Sequence, residues 1–364
     1  MVTIVLAVGT LTGVFILLSA LLVVAGRYLA NYGDCTVTVN GGAVAFTQLG
    51  GGTLLKALYD NKIFIPSACG GKGSCGYCKV TVASGGGPIL PTEVPFMSRA
   101  EVRTGARLAC QVKIKTNIEV LFSEDFLSVK EFRGRVSGVS ALTYDMKEIT
   151  IDLIEPAEIS FRPGQYVQIQ APSPEGNVYR AYSISSPAYE KTRIQLVVRL
   201  VPGGIASTYI HGLHEGDEVV FTGPYGEFRL SEDSSVPVVC VGGGAGMAPI
   251  ASIISSLART WPDRSCSLFF GCRSTKDVFY LDRFKAMTKG HPNFTVVYAL
   301  SDPLASGEAW VGDTGFIHLS LEKRLSADSR CQAFLCGPPP MIEAVTEVLK
   351  GKGLRNEDIF YDKF

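Results

Sequence analysis

Residues 67–80, SACGGKGSCGYCKV, place Cys69, Cys75 and Cys78 among four glycines within fourteen residues. A stretch this rich in glycine holds a fixed shape only if its thiols are organised around something. Cys110 follows further down the chain, so the order is Cys69-x5-Cys75-x2-Cys78…Cys110. Plant-type [2Fe–2S] proteins use C-x4-C-x2-C…C, one residue shorter in the first gap. The glycines suit a cluster, because the loop must wrap closely and aim backbone N–H groups at sulfur. Zinc ribbons pair two C-x2-C knuckles, whereas here one knuckle stands with two single cysteines. The other six cysteines (Cys35, Cys240, Cys266, Cys272, Cys331 and Cys336) are scattered, several in apolar strand-like runs. That pattern fits buried thiols in a reducing compartment and disfavours disulfides. The spacing therefore favours a [2Fe–2S] cluster over structural zinc.

With 364 residues the chain is too long for one ordinary core, which predicts two or three domains. Residues 2–26, VTIVLAVGTLTGVFILLSALLVVAG, carry no charged side chain. Such a run is long enough to cross a bilayer core as a helix. A signal peptide would want a basic n-region and a shorter apolar core. Arg27 follows the segment and nothing basic precedes it, which favours the bulk of the chain on the cytoplasmic side. The expectation is a single-pass anchor over residues 1–33 in an inner (cytoplasmic) membrane, in contact with the lipid bilayer. Lys+Arg and Asp+Glu both number 34, a balance that gives no electrostatic footprint for nucleic acid.

Beyond the anchor, CTVTVNGG (35–42) alternates as a strand and turn, and GTLLKALYDNKI (52–63) reads as a short helix. CKVTVASGGG (78–87) is a strand closing in a glycine turn. PTEVPFMSRAEVRTGARLACQVKI (91–114) is expected to be a helix leading into a strand that carries Cys110. Residues 34–128 thus form a small α+β unit. Over 129–232, short strands such as YVQIQAP and IQLVVRL alternate with Gly/Pro turns, predicting an antiparallel β-barrel or sandwich. Over 233–364 the rhythm becomes strand–helix–strand, as in VPVVCVGG, MAPIASIISSLART and CSLFFGCR, which predicts a parallel α/β sheet.

Four short motifs carry the chemistry. RAYSISSP (180–187) offers an Arg for a pyrophosphate, an aromatic to stack on a flat ring and a hydroxyl for a ring nitrogen. GGIASTYI (203–210) opens a helix with a glycine turn, where free N–H groups suit phosphate. VPVVCVGGGAGMAPI (236–250) sets a glycine cluster between strand and helix, but Met247 stands at the last glycine position of G-x-G-x-x-G. CGPPPM (336–341) ends a later strand in a rigid turn, with a thiol on the ligand-binding edge of a parallel sheet. The histidines of HGLH (211–214) lie in a turn and read as structural rather than metal-binding.

These motifs, in this order, resemble the ferredoxin–NAD(P)H reductase superfamily, and the preceding cluster domain is similar to that of fused oxygenase reductases. With the apolar segment and the x5 gap added, the chain resembles the F-subunit family of Na+-translocating NADH:quinone oxidoreductases. The resemblance implies a multidomain fold: a transmembrane helix, a β-grasp ferredoxin-like domain, an antiparallel β-barrel FAD domain and a parallel-sheet NADH domain. It implies that Cys69, Cys75, Cys78 and Cys110 ligate the cluster. Arg180 would meet the FAD phosphates, Tyr182 stack on the isoalloxazine and Ser183 bond near its N5. Val197, Val198 and Arg199 would line the flavin's nucleotide side, with Gly204, Ser207 and Thr208 on its pyrophosphate. Gly243, Gly244, Gly246 and Pro249 would hold the NADH phosphates, and Cys336 and Gly337 would lie where nicotinamide meets flavin. Cys336 and Ser183 are the implied catalytic residues, with Phe364 or Tyr361 covering the flavin.

The implied activity is hydride transfer from NADH to FAD, then single-electron transfer through the cluster to membrane-embedded partner subunits and finally quinone, coupled by the complex to Na+ transport. A reductase for a membrane hydroxylase or an Rnf-type complex, or a redox sensor without turnover, are the alternatives. The resemblance implies NADH rather than NADPH, and only Arg273 and Lys276 stand where a 2′-phosphate would want a basic cluster.

Overall fold

The computed structural model describes residues 2–29, 32–174, 176–228, 230, 236–302, 304, 309–326 and 330–363. It divides into two compact units, Met1–Ser128 and Val129–Phe364.

The first unit opens with helix α1 (Val2–Leu29). Large side chains along it, such as Leu11, Phe15 and Leu17, are exposed. Among the described residues no helix is long and apolar enough to cross a membrane.

A five-stranded mixed sheet follows, built from β1 (Asp34–Val39), β2 (Val44–Leu49), β3 (Lys79–Ser84), β4 (Ala106–Leu108) and β5 (Ile118–Leu121) in the order β2-β1-β5-β3-β4. The Asn-Gly signal does make the hairpin between β1 and β2, with Asn40 in the left-handed region at φ 48°. The Asn40 side chain then exchanges hydrogen bonds of 3.1 and 3.0 Å with the backbone of Phe122, tying the turn to the end of β5. Helix α2 (Leu54–Asp60), capped by Thr53, buries Leu54, Leu55, Ala57 and Leu58 in one core with Val37, Val39, Ile118 and Val120 of the sheet. A helix across a mixed sheet is the β-grasp arrangement that the family resemblance implied.

The 91–114 segment departs from expectation. Its helix shrinks to a 3-10 turn (Val94–Phe96) and a five-residue α3 (Arg99–Arg103) started by a Ser98–Glu101 capping box. Pro95 can donate no hydrogen bond, which prevents one long helix. Cys110 consequently lies in the turn after β4 rather than within a strand. That turn is fixed by an ion pair inaccessible to solvent. Arg107 donates to both carboxylate oxygens of Glu93 at 2.8–3.1 Å and to the carbonyls of Gly86 and Gly87 at 2.7 and 2.9 Å. Leu90 N and Leu108 N each donate to the same carboxylate at 2.8 Å. Burial alone would raise the Glu93 carboxyl, but Arg107 and the two N–H groups outweigh it and hold it below the usual range.

The second unit joins a barrel to a parallel sheet. The barrel strands are β6 (Lys130–Ala141), β7 (Met146–Glu155), β8 (Tyr166–Ala171), β9 (Val178–Ser183), β10 (Arg193–Arg199) and β11 (Glu218–Tyr225), with α4 (Ile205–His211) before the last. Their order is β10-β7-β6-β11-β8-β9 with antiparallel neighbours. An antiparallel bridge from Ile184 to Leu196 brings the two outer strands together, closing the barrel around Ile149, Ile169, Leu196 and Phe221. The parallel sheet then runs β12 (Val238–Gly243), α5 (Met247–Thr260), β13 (Cys266–Cys272), α6 (Leu281–Gly290), β14 (Phe294–Leu300), β15 (Asp313–Thr314), α7 (Ile317–Arg324), β16 (Gln332–Gly337), α8 (Pro339–Gly351) and β17 (Ile359–Lys363). Its order is β15-β14-β13-β12-β16-β17. The chain steps outward from β12 to β15 and then returns to the other side of β12, so a topological switch point lies between β12 and β16. Ligands of open α/β sheets bind at such a point.

Replacing Arg107 by Met should destabilise the first unit by about 3–5 kcal/mol, because it strands a carboxylate inside the protein. Denaturation of the isolated variant and parent chains compares them directly. Because the folded Glu93 value is depressed, its contribution is full above the unfolded carboxyl's value of about 4.3 and is lost as pH falls through the lower folded one. The gap between parent and variant should therefore close in acid.

Candidate functional site

In the first unit the loop after α2 and the turn after β4 bring four thiols together as two pairs. The Cys69 and Cys75 sulfurs are 3.4 Å apart, too far for a disulfide and near enough to share a proton. Cys78 and Cys110 make the second hydrogen-bonded pair, and both are buried. The hydrogen bond from Cys75 lowers the Cys69 thiol to about 4, and the same contact raises Cys75. The hydrogen bond from Cys78 likewise lowers Cys110 to about 7 and raises Cys78. One sulfur of each pair is thus poised as thiolate, the form that ligates metal.

Among the described residues no three His, Cys, Asp or Glu side chains converge as a single ion would require. Two sulfur pairs fit a binuclear iron centre, with one pair for each iron, better than one tetrahedral zinc. Gln111 adds a feature that spacing could not reveal. Its amide nitrogen lies 3.7 Å from the Cys110 sulfur, and Thr92 donates to its oxygen at 3.2 Å. Gly73, at φ 73°, makes room for it, because a Cβ there would stand 2.5 Å from that nitrogen.

In the second unit β9 presents Arg180 and Tyr182 on one face and Ser183 at its end, all half-buried. Arg180 is steadied by its bond to the Tyr179 carbonyl at 2.7 Å, and burial raises the Tyr182 hydroxyl to about 12. The loop beyond is stitched to α5: Ser252 donates to the Ser186 carbonyl at 2.7 Å, and Ala188 N donates to the Ser256 hydroxyl at 3.1 Å. The implied flavin strand and the glycine-loop helix are thereby held together.

At the switch point a cleft of ≈ 400 Å³ opens beside the ends of β12, β13, β14 and β16. Its floor includes Gly243 and Gly244, its far side Pro338 and Met341, and its polar lining Arg199, Arg273, Asp277, Ser301 and His318. Gly246 explains the glycine loop physically. A Cβ there would fall 2.1 Å from the Cys336 carbonyl oxygen, so only glycine lets the loop touch the end of β16. Met247, the departure from G-x-G-x-x-G, is fully buried in the sheet–helix core, and Pro249 is buried in the first turn of α5 where no donor is missed.

The side chains of the other implied residues occupy several different settings. Arg199 lines this cleft, and its Nη2 sits 2.9 Å from where a Gly244 Cβ would be. The side chains of Val197 and Val198 are buried, the first in the sheet–helix core and the second inside the barrel, so packing occupies them both. Ser207 is also buried, with its hydroxyl turned back to Val201 at 3.1 Å, while Thr208 is exposed near the Gly204 cap of α4. Cys336 is fully buried, which pushes its thiol well up, and Gly337 meets the backbone of Gly243. His211 contacts the Val198 carbonyl at 2.9 Å and His214 lies exposed beside Asp217, as structural histidines do. Tyr361 is 54% exposed on the edge strand β17, and Phe364 lies outside the described residues.

Several cleft residues went unrecognised in the sequence, Asp277, Ser301, Phe316 and His318 among them. Asp277 was signalled by its Ser274 capping box, and Phe316 by nothing beyond an aromatic after glycine; Phe316 is 63% exposed and stacks on His318 with ring centroids 5.9 Å apart.

Residues 37–115 match the 2Fe-2S iron-sulfur cluster binding domain, 133–230 the oxidoreductase FAD-binding domain and 240–347 the oxidoreductase NAD-binding domain. These are the parts of a nicotinamide-nucleotide oxidoreductase that uses FAD and a [2Fe–2S] cluster. Among solved structures, the Amycolatopsis cytochrome P450 reductase is similar at 31% identity and TM-score 0.70, over 91% of this chain and 98% of that one. The F subunit of the Na(+)-translocating NADH-quinone reductase of Neisseria meningitidis serogroup C is 38% identical over 404 residues, covering 99% of both chains. That of Actinobacillus succinogenes is 37% identical over 98% of both. The chain belongs to the F-subunit family of the Na(+)-translocating NADH-quinone reductases.

Replacing Gly246 by Ala should force the loop off β16 and raise the KM for NADH more than tenfold while bound FAD is kept. Steady-state kinetics and the flavin spectrum of the purified variant measure both effects.

Proposed function

We propose that this chain is the NADH-oxidising, electron-entry component of a membrane complex that reduces quinone and moves Na+. The observation that carries this reading is the cleft at the switch point, where a glycine loop, two arginines and an exposed aromatic stand together. Its shape and chemistry suit a nicotinamide dinucleotide. Backbone N–H groups at the start of α5 and the Arg199 guanidinium receive the pyrophosphate. Phe316 offers a flat face for adenine, and Asp277 and Arg273 flank the ribose end. Hydride transfer from nicotinamide to flavin needs no acid or base, so the residues have only to bind and orient the nucleotide against the barrel.

FAD and the cluster, when bound, supply hydride acceptance and one-electron transfer. Arg180, Tyr182 and Ser183 are the barrel residues that would hold the flavin, with Thr208 and the Gly204 turn beside them. Cys69, Cys75, Cys78 and Cys110 would hold the cluster, and the Gln111 amide would donate to one ligand sulfur and help set its potential. Cys336 contributes through its backbone at the switch point, since its thiol is enclosed. The charge-free N-terminal segment is a single-pass anchor in the inner membrane that keeps the body on the cytoplasmic side beside membrane-embedded partner subunits.

Adding NADH to the purified holoprotein should bleach the flavin and produce the EPR signal of a reduced cluster. Silence in both would overturn the reading. In Cys75→Ser the EPR signal should vanish while the flavin still bleaches. Membranes bearing the complete complex should reduce quinone with NADH at a rate that rises with Na+, and lose that activity with the same substitution.

A further inference from the structure

Two consecutive residues of the barrel, Tyr144 and Asp145, each hold one of the two arginines that line the cleft. They sit at the tip of the hairpin joining β6 to β7. The Arg273 Nη2 donates to the Tyr144 hydroxyl at 2.7 Å, and that hydroxyl donates to Asp277 Oδ1 at 3.3 Å. Asp277 is itself immobilised, because its other oxygen accepts from the Ser274 N–H and hydroxyl at 2.9 and 2.8 Å. Next along the chain, the Asp145 carboxylate lies 3.1 Å from Arg199 Nε and accepts from Thr143 Oγ1 at 2.8 Å. The Asp145 carbonyl also accepts from Leu200 N at 2.8 Å, gripping the backbone just after Arg199.

We infer that this hairpin is a positioning device for the nucleotide site, by which the barrel sets the aim of both cleft arginines before NADH arrives. The inference rests on reading the cleft as the NADH site. Arg273 is 65% exposed, and among the described residues its side chain is restrained, apart from Tyr144, only by a looser 3.6 Å pair with Asp277. Without the hydroxyl it would sample more rotamers, whose loss on binding weakens affinity. Tyr144 is 67% exposed and buries little apolar surface, so its hydroxyl has small structural value apart from this contact. Asp145 meets Arg199 at Nε, which leaves both terminal nitrogens of the fork facing the glycine loop.

Tyr144→Phe is the decisive variant, since it removes one hydroxyl and changes no charge. In the holoprotein its KM for NADH should rise about tenfold, the scale of one lost hydrogen bond to a charged group. Its kcat should change much less, and its Tm should stay at the parent value. In an Arg273→Ala background the same substitution should add nothing further, as a double-mutant cycle requires when one residue acts through another. Arg193→Gln, which breaks an exposed pair with Asp152 on β10 and β7, is the control and should leave KM unchanged. An unchanged or lower KM in Tyr144→Phe would overturn the inference, as would an undiminished effect without Arg273. If the parent protein itself failed to saturate with NADH, the cleft reading would fall first.

Discussion

The backbone of the glycine loop touches the backbone at the end of β16, and the nucleotide site is arranged around that contact. Gly246 leaves no space for a side chain between itself and the Cys336 carbonyl, and Gly337 meets Gly243 from the other strand. Two parallel neighbours thus remain in register to their carboxyl ends, with Gly242 opposite Cys336. Helix α5 can then start directly above the sheet with Met247 packed beneath it. From the same helix, Ser252 and Ser256 reach the barrel loop that follows β9. One close approach therefore locates the phosphate-binding turn and, through α5, the strand that carries Arg180 and Tyr182.

The cluster loop solves a different problem. Its glycines give the backbone freedom but no rigidity, so order has to come from outside the loop. The Glu93–Arg107 pair supplies it on one side, because the same carboxylate that holds Arg107 also receives Leu108 N, two residues before Cys110. Burying two charges is costly unless every lone pair and proton finds a partner. Here the backbone carbonyls of Gly86 and Gly87 and the N–H of Leu90 complete the set. The fourth thiol is therefore delivered by a rigid turn to three others on a pliable loop.

Much of this was legible in the sequence for identifiable reasons. Period-two alternation marked the barrel strands, and the change to strand–helix–strand marked the parallel sheet, because both patterns follow from which faces are buried. Cys69, Cys75 and Cys78 stood out by their spacing, and the family resemblance added Cys110 as the fourth. The 91–114 segment was misread because helical periodicity does not register that Pro95 and a buried Glu93 break the helix. Local motifs also could not tell which way a residue points. Val198 and Ser207 sit in the right motifs yet turn inward, and Cys336 is enclosed by the sheet it ends. Alternation on a strand assigns opposite faces but not the neighbours that cover them.

Arg199 shows why that limit matters for function. The family resemblance put Arg199 on the flavin's nucleotide side, and its side chain lines the cleft at the switch point, where it stands beside Gly244. Only the tertiary fold reveals that Asp145, far away in sequence, holds it there. The cleft is thus composed from both halves of the unit: the parallel sheet provides the glycine loop, Arg273 and Asp277, and the barrel provides Arg199 and the hairpin. The barrel therefore reaches into the cleft through a charged side chain, Arg199. On the proposed reading of this cleft, binding and alignment toward the barrel become the same event, which suits a hydride transfer that depends on positioning.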